Sequence, residues 1–179
     1  YAEGLGHVSV MVASGFFGLM KMDTLVINPT DIDLPLYSYD RINAAGNDTL
    51  IVEMYDTLLG ELDTVKLEKI KERFSHLPKR DPGEHWYDKI KLSASISLKG
   101  KKSCKAEFDS LVTEQLTAFL DLECLDAPEK EEKLKKASVY VEGLLENGGP
   151  STDVFKKSLG EDKTKLFFRR YLFGTNTED

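Results

Sequence analysis

The sequence predicts an α+β protein whose helices pack on an antiparallel sheet. Three observations predict it: strand-like alternation dominates the stretch up to Asp56, the loops between those strands are short, and helical periodicity takes over from Asp63 except for one later strand. His7 to Ala13 alternates and then runs apolar. Asp23 to Asn28 is a short strand stopped by Pro29. Leu34 to Ile42 carries aromatic and β-branched weight, and Pro35 suits a strand start. Asn43 to Asp48 has turn chemistry, and Thr49 to Asp56 returns as the second arm of a hairpin. Lys91 to Leu98 is the fifth strand, with Leu92, Ala94, Ile96 and Leu98 on one face and serines on the other; Lys99 to Lys102 closes it.

Helices account for the rest. Asp63 caps a helix running to Phe74. Ser103 caps a long helix in which Phe108, Leu111, Val112, Leu116, Phe119 and Leu120 recur at helical spacing. Asp126 and Pro128 open a third helix that Gly148 and Gly149 stop. Pro150 begins a short helix ending at Gly160, and Glu161 to Phe173 is the last.

Composition bounds the function. The chain has 179 residues, 31% charged and 41% apolar, as expected of one globular domain over 1–179. It begins at Tyr1 rather than Met, so a missing leading segment is expected. No run of 18 apolar residues exists, and no membrane span is predicted. Cys104 and Cys124 read as reduced thiols of a cytoplasmic protein. The net charge of -7 hides a basic island. Residues 61–105 hold twelve bases against seven acids, while the flanking segments are acidic. The island is either a solvated face or a patch that steers an acidic partner. Nucleic acid is not expected as that partner, because the overall charge has the wrong sign and no reader motif occurs. No phosphate loop, dinucleotide fingerprint, nucleophile elbow or zinc spacing is present, and no metal site is expected. His85-Trp86-Tyr87 reads as a packing cluster.

A resemblance goes further. Asp23-Thr-Leu-Val-Ile-Asn-Pro29, Asp33-Leu-Pro-Leu-Tyr-Ser-Tyr-Asp40 and Gly46 to Asp56 resemble the central sheet of the ferredoxin-dependent bilin reductases and the related red chlorophyll catabolite reductase. Gly148 to Phe155, Leu159-Gly160 and Tyr171-Leu-Phe173 resemble the family's C-terminal half. The resemblance implies a three-layer α/β/α sandwich with a central antiparallel sheet and helices on both faces. It also implies a pocket between the sheet and the C-terminal helices. The implied chemistry is reduction of a linear tetrapyrrole by electrons from an external reduced ferredoxin, with protein-supplied protons and no bound cofactor. The alternative is a non-catalytic binding protein for a tetrapyrrole or another flat acidic ligand.

The same resemblance implies candidate site residues. Asp56 takes the place of the catalytic aspartate if the hairpin is two residues longer here; with no insertion, Met54 takes it. Glu53 lies on the opposite face of that strand, so only one of the two acids faces a given pocket. The family's histidine position falls near Thr24, and its second aspartate position falls on Gly149, with Asp153 as a possible substitute. Arg41, Arg169 and Arg170 are available to pair carboxylates of the ligand, with Tyr39 beside Arg41. The basic island would dock the acidic ferredoxin.

Overall fold

The computed structural model of the chain describes residues 1–15, 18–127, 129–148 and 150–176. Five strands form one antiparallel meander in chain order: β1 (Gly6–Gly15), β2 (Met20–Pro29), β3 (Leu36–Ala44), β4 (Asn47–Tyr55) and β5 (Ile96–Lys101). The helices are α1 (Val65–Arg73), α2 (Lys105–Leu120), α3 (Lys130–Asn147), α4 (Pro150–Leu159) and α5 (Glu161–Leu166), which continues as a π-helical turn over Phe167–Leu172. The β3–β4 hairpin closes on Ala45 and Gly46, both at positive φ (49° and 75°), the mirror-image turn whose twist matches paired strands.

Side-chain alternation gives the sheet two apolar faces. Ile27, Tyr37, Val52 and Leu98 pack on Leu67 and Ile70 of α1 and Phe108 and Phe119 of α2. Val26, Leu36 and Tyr55 face the other way, onto Tyr140 and Val141 of α3 and onto Phe168, Leu172 and Phe173. The result is the α/β/α sandwich, with α1 and α2 in one outer layer and the C-terminal helices in the other.

Tertiary bonds move several boundaries from their expected places. β3 starts at Leu36 rather than Leu34, because the Leu34 carbonyl accepts from the buried Lys133 ammonium at 2.5 Å. β5 starts at Ile96 rather than Lys91. Lys91 makes one bridge to Tyr55, and the chain then turns, with Ser95 N–H donating to Leu92 O at 3.0 Å. Lys99-Gly100-Lys101, expected as a closing turn, continues the ladder opposite Asn47 to Thr49. Asp126 does not cap α3; it bridges Ile32, and the helix begins at Lys130. Pro128 lies outside the described residues. Ser103 sits in a 3-10 turn that leads into α2. Asp63 is not the cap of α1: Thr64 holds that position without a side-chain cap bond, and the Asp63 carboxylate, one residue earlier, accepts from Val65 N–H at 2.8 Å.

The C-terminal segment is tied to the sheet by polar side chains. His7 Nε2 donates to Tyr171 O at 3.0 Å, Ser9 to Leu172 O at 2.6 Å and Asn28 to Phe173 O at 2.8 Å. These bonds satisfy carbonyls that a helix end leaves open. Gly174 follows at φ 61°, where a Cβ would lie 2.7 Å from His7 Cβ. Among the described residues, no helix is long and apolar enough to cross a membrane.

Candidate functional site

A cavity lies between the sheet and the C-terminal helices. Its sheet wall follows from strand parity: Thr24 and Val26 of β2, Ser38 and Asp40 of β3, and Glu53 and Tyr55 of β4 project to that side. Aromatic rings close it. Tyr55 stacks on Tyr140 at 4.1 Å between ring centres and meets Tyr87 edge-on at 5.5 Å. Phe155 and Phe168 complete the far wall, their rings 5.7 Å apart. The open volume is about 100 Å³.

Two carboxyls sit in this aromatic surround. Thr24 and Asp40 are directly opposite in the β2–β3 register, and the Thr24 hydroxyl donates to the Asp40 carboxylate. Burial raises the Asp40 pKa above the ordinary carboxylate value; the Thr24 bond lowers it and the nearby Glu53 charge raises it, with a net upward shift. Glu53 stands diagonally across the ladder, opposite Ser38. It accepts a hydrogen bond from the Tyr55 hydroxyl at 2.5 Å, and Lys91 Nζ lies 3.7 Å away. Burial pushes the Tyr55 and Tyr140 phenols well above their ordinary range, so both remain neutral donors at any working pH. The arrangement sets a desolvated carboxyl, able to donate a proton, beside aromatic faces in a small cavity.

The other sequence candidates lie elsewhere. Asp56 is exposed just past the end of β4, where its carboxylate accepts from Leu58 N–H at 3.2 Å. It has left the ladder, so strand parity no longer aims it at the cavity. Asp153 is exposed on α4, which turns Thr152 and Phe155 inward instead. Gly149 lies outside the described residues. Arg41 projects from the opposite face of β3. It is buried in a bidentate pair with Asp48, 3.4 Å from Asp109, with its guanidinium 5.0 Å from the Phe108 ring centre. Tyr39 shares that face and packs on the α1–α2 side. Arg169 clamps α5 to α3 through a bidentate pair with Glu142 at 2.7 and 2.6 Å. Arg170 is exposed beside Tyr171.

Glu53 is thus the sequence candidate that reaches the cavity, and Asp40 is the residue sequence reasoning missed. Its signal was present: Asp40 closes the Leu-Pro-Leu-Tyr-Ser-Tyr-Asp run, and alternation places it with Ser38, on the face away from Arg41. Cys104 and Cys124 are both free thiols. No cluster of three or more metal-binding side chains occurs among the described residues.

No family model matches the chain, and a search of the curated proteins finds no match. Among solved structures, the chain is similar to phytochromobilin synthase from tomato in complex with biliverdin. The TM-score is 0.60 at 12% identity, covering 95% of this chain and 78% of that one. At that identity the likeness concerns architecture alone: this chain shares its fold with that synthase.

Proposed function

We propose that this chain binds a linear tetrapyrrole between the sheet and α3–α5 and reduces it with electrons from an external reduced ferredoxin, Asp40 acting as proton donor. The observation that carries the reading is the Thr24–Asp40 pair: a carboxyl with a raised pKa, set among aromatic rings in a cavity of this fold. The tomato synthase of the same fold holds biliverdin. Reducing one double bond consumes two electrons and two protons. Ferredoxin supplies the electrons one at a time, and Asp40 delivers one proton with each electron, taking up a proton from solvent in between; Glu53, on the same face, accepts the Tyr55 hydroxyl. Asp40 is then reprotonated from solvent. The basic island is the docking surface for the acidic ferredoxin.

The cavity as it stands is smaller than the ~300–1,000 Å³ of small-molecule sites, so the ligand must displace part of its wall. The segment suited to move is α4. It carries Thr152 and Phe155 and lies between Gly148 (φ 74°) and Gly160 (φ 81°), two backbone positions that favour glycine.

The test is spectroscopic. Purified protein mixed with biliverdin should shift the visible spectrum of the pigment, and reduced ferredoxin should then bleach or move the bands. Asp40→Asn should keep the shift and lose turnover, whereas Asp56→Asn should retain both. No shift with biliverdin removes the tetrapyrrole reading. Turnover by Asp40→Asn removes Asp40 from the mechanism. A second reading, a binder without chemistry, is favoured by Thr24 standing where the resemblance places a histidine; a shift without turnover in the unmodified protein selects it.

A further inference from the structure

A second cavity opens around the edge of the sheet at β5. It measures about 590 Å³, within the range that encloses small molecules. It exists because Lys91 to Ser95 leaves the ladder and turns, so the sheet edge is notched between α1 and the Leu77–Pro82 loop. The floor is apolar, made by Phe74, Leu77, Ile96 and Leu98. The rim is cationic at Lys71, Lys79, Arg80 and Lys91, against Glu53, Glu68 and Glu72.

These charges are unevenly used. Glu68 accepts the Ser93 hydroxyl, and Glu53 accepts the Tyr55 hydroxyl. Lys91 is held by Asp88 at 2.5 Å, and Lys71 Nζ donates to Ser93 O at 2.6 Å. Arg80 reaches Ser97 Oγ at 3.3 Å. Lys79 has no ion pair among the described residues. The cations crowd one another: burial first, and then the Lys79 and Lys91 charges, push the Lys71 ammonium down, with Glu68 opposing.

We propose that this groove is a binding site for an amphipathic carboxylate, with the apolar body on the Phe74–Leu98 floor and the head group between Lys71, Lys79 and Arg80. A neutral amphiphile would leave Lys79 without an ion-pair partner among the described residues and the Lys71–Lys79 repulsion in place. A small inorganic anion would leave the apolar floor in water. An anion on an apolar body does both tasks, through charge-assisted hydrogen bonds at one end and burial at the other. The groove borders the cavity at Asp40, with Glu53 lining both, and Lys71, Lys79 and Arg80 belong to the basic island; octanoate binding is nevertheless read without biliverdin or ferredoxin, so its failure is distinguishable from failure of that reading.

Calorimetric titration at low salt tests it, with octanoate, 1-octanol and acetate as the three probes. Octanoate should bind at least tenfold more tightly than either of the others, and added salt should weaken it. Lys79→Glu/Arg80→Glu should weaken octanoate at least tenfold with an unchanged melting temperature. Should that double variant melt early, Lys79→Glu alone gives the same reading, because its side chain has no hydrogen bond or ion pair among the described residues. Absence of octanoate binding, equal binding of 1-octanol, or unchanged affinity in a folded charge-reversed variant overturns the proposal.

Discussion

Replacing Gly143 with alanine probes how the aromatic wall is held. Gly143 lies on α3 directly under the Trp86 indole. A Cβ built there falls 2.6 Å from Cζ3 and 2.7 Å from Cζ2 of that ring. Carbon atoms rest at about 3.5–4.0 Å, so the ring or the helix must give by about 1 Å. Either movement breaks packing. Trp86 begins the 3-10 turn Trp86–Ile90, and its ring is 5.4 Å from Tyr87 and 6.0 Å from Tyr140. The α3 backbone is fixed on the sheet by Tyr140 and Val141. Overpacking of this kind costs about 1–3 kcal/mol. For a chain of this length each kcal/mol lowers Tm by roughly 2–4 °C. The assay is a thermal melt and a urea titration followed by tryptophan emission, which here reports one site because Trp86 is the sole tryptophan. The expected result is a lower Tm and an emission band shifted to the red as the indole moves toward water. Glu146→Ala, an exposed change on the same helix, should stay within about 0.5 kcal/mol. Unchanged Tm and unchanged emission in Gly143→Ala would refute the packing argument.

Three further outcomes are expected. Asp40 has a raised folded-state pKa, so the folded chain binds its proton more tightly than the unfolded chain does. Stability therefore falls as pH rises from about 3.8 through the raised value, and Asp40→Asn should gain on the unmodified protein across that window and match it below; parallel denaturation curves at all pH values would exclude this linkage. Asp48→Ala leaves Arg41 buried with Asp109 as its remaining partner, and should cost about 3–5 kcal/mol in urea unfolding, toward the lower end because Asp109 still offers charge. A cost below 1 kcal/mol would show that Arg41 escapes to water. Ala45 holds φ 49° without a glycine's freedom, so Ala45→Asn, which creates the Asn-Gly turn, should stabilise the hairpin by about 1 kcal/mol; a lower Tm would contradict the turn assignment.

Much of the fold is legible in local pattern. The alternation in β1 to β4, the existence of a turn within Asn43–Asp48 (tightened to Ala45–Gly46, since Asn43, Ala44, Asn47 and Asp48 pair in the ladder) and the apolar spacing of α2 each belong to a few neighbouring residues, so the sequence determines them before any long-range contact forms. Alternation also settles that Thr24 and Val26 share a face, as do Ser38 and Asp40. What local pattern does not contain is which helices cover which face. Tyr39 and Arg41 went under α1 and α2, and Asp40 went under the C-terminal helices, because residues far away in the chain supply the covering layer. The expected donor, Asp56, lies beyond the last paired residue of β4, where period two no longer applies. Lys133 makes the same point in energetic terms. On α3 it reads as one more surface cation, yet its ammonium is buried on Asp33, Leu34 O and Thr57 O, between 76 and 100 residues away in sequence. Only the assembled tertiary structure decides such a bond, because the desolvation of the lysine is offset by acceptors that converge solely in the folded chain.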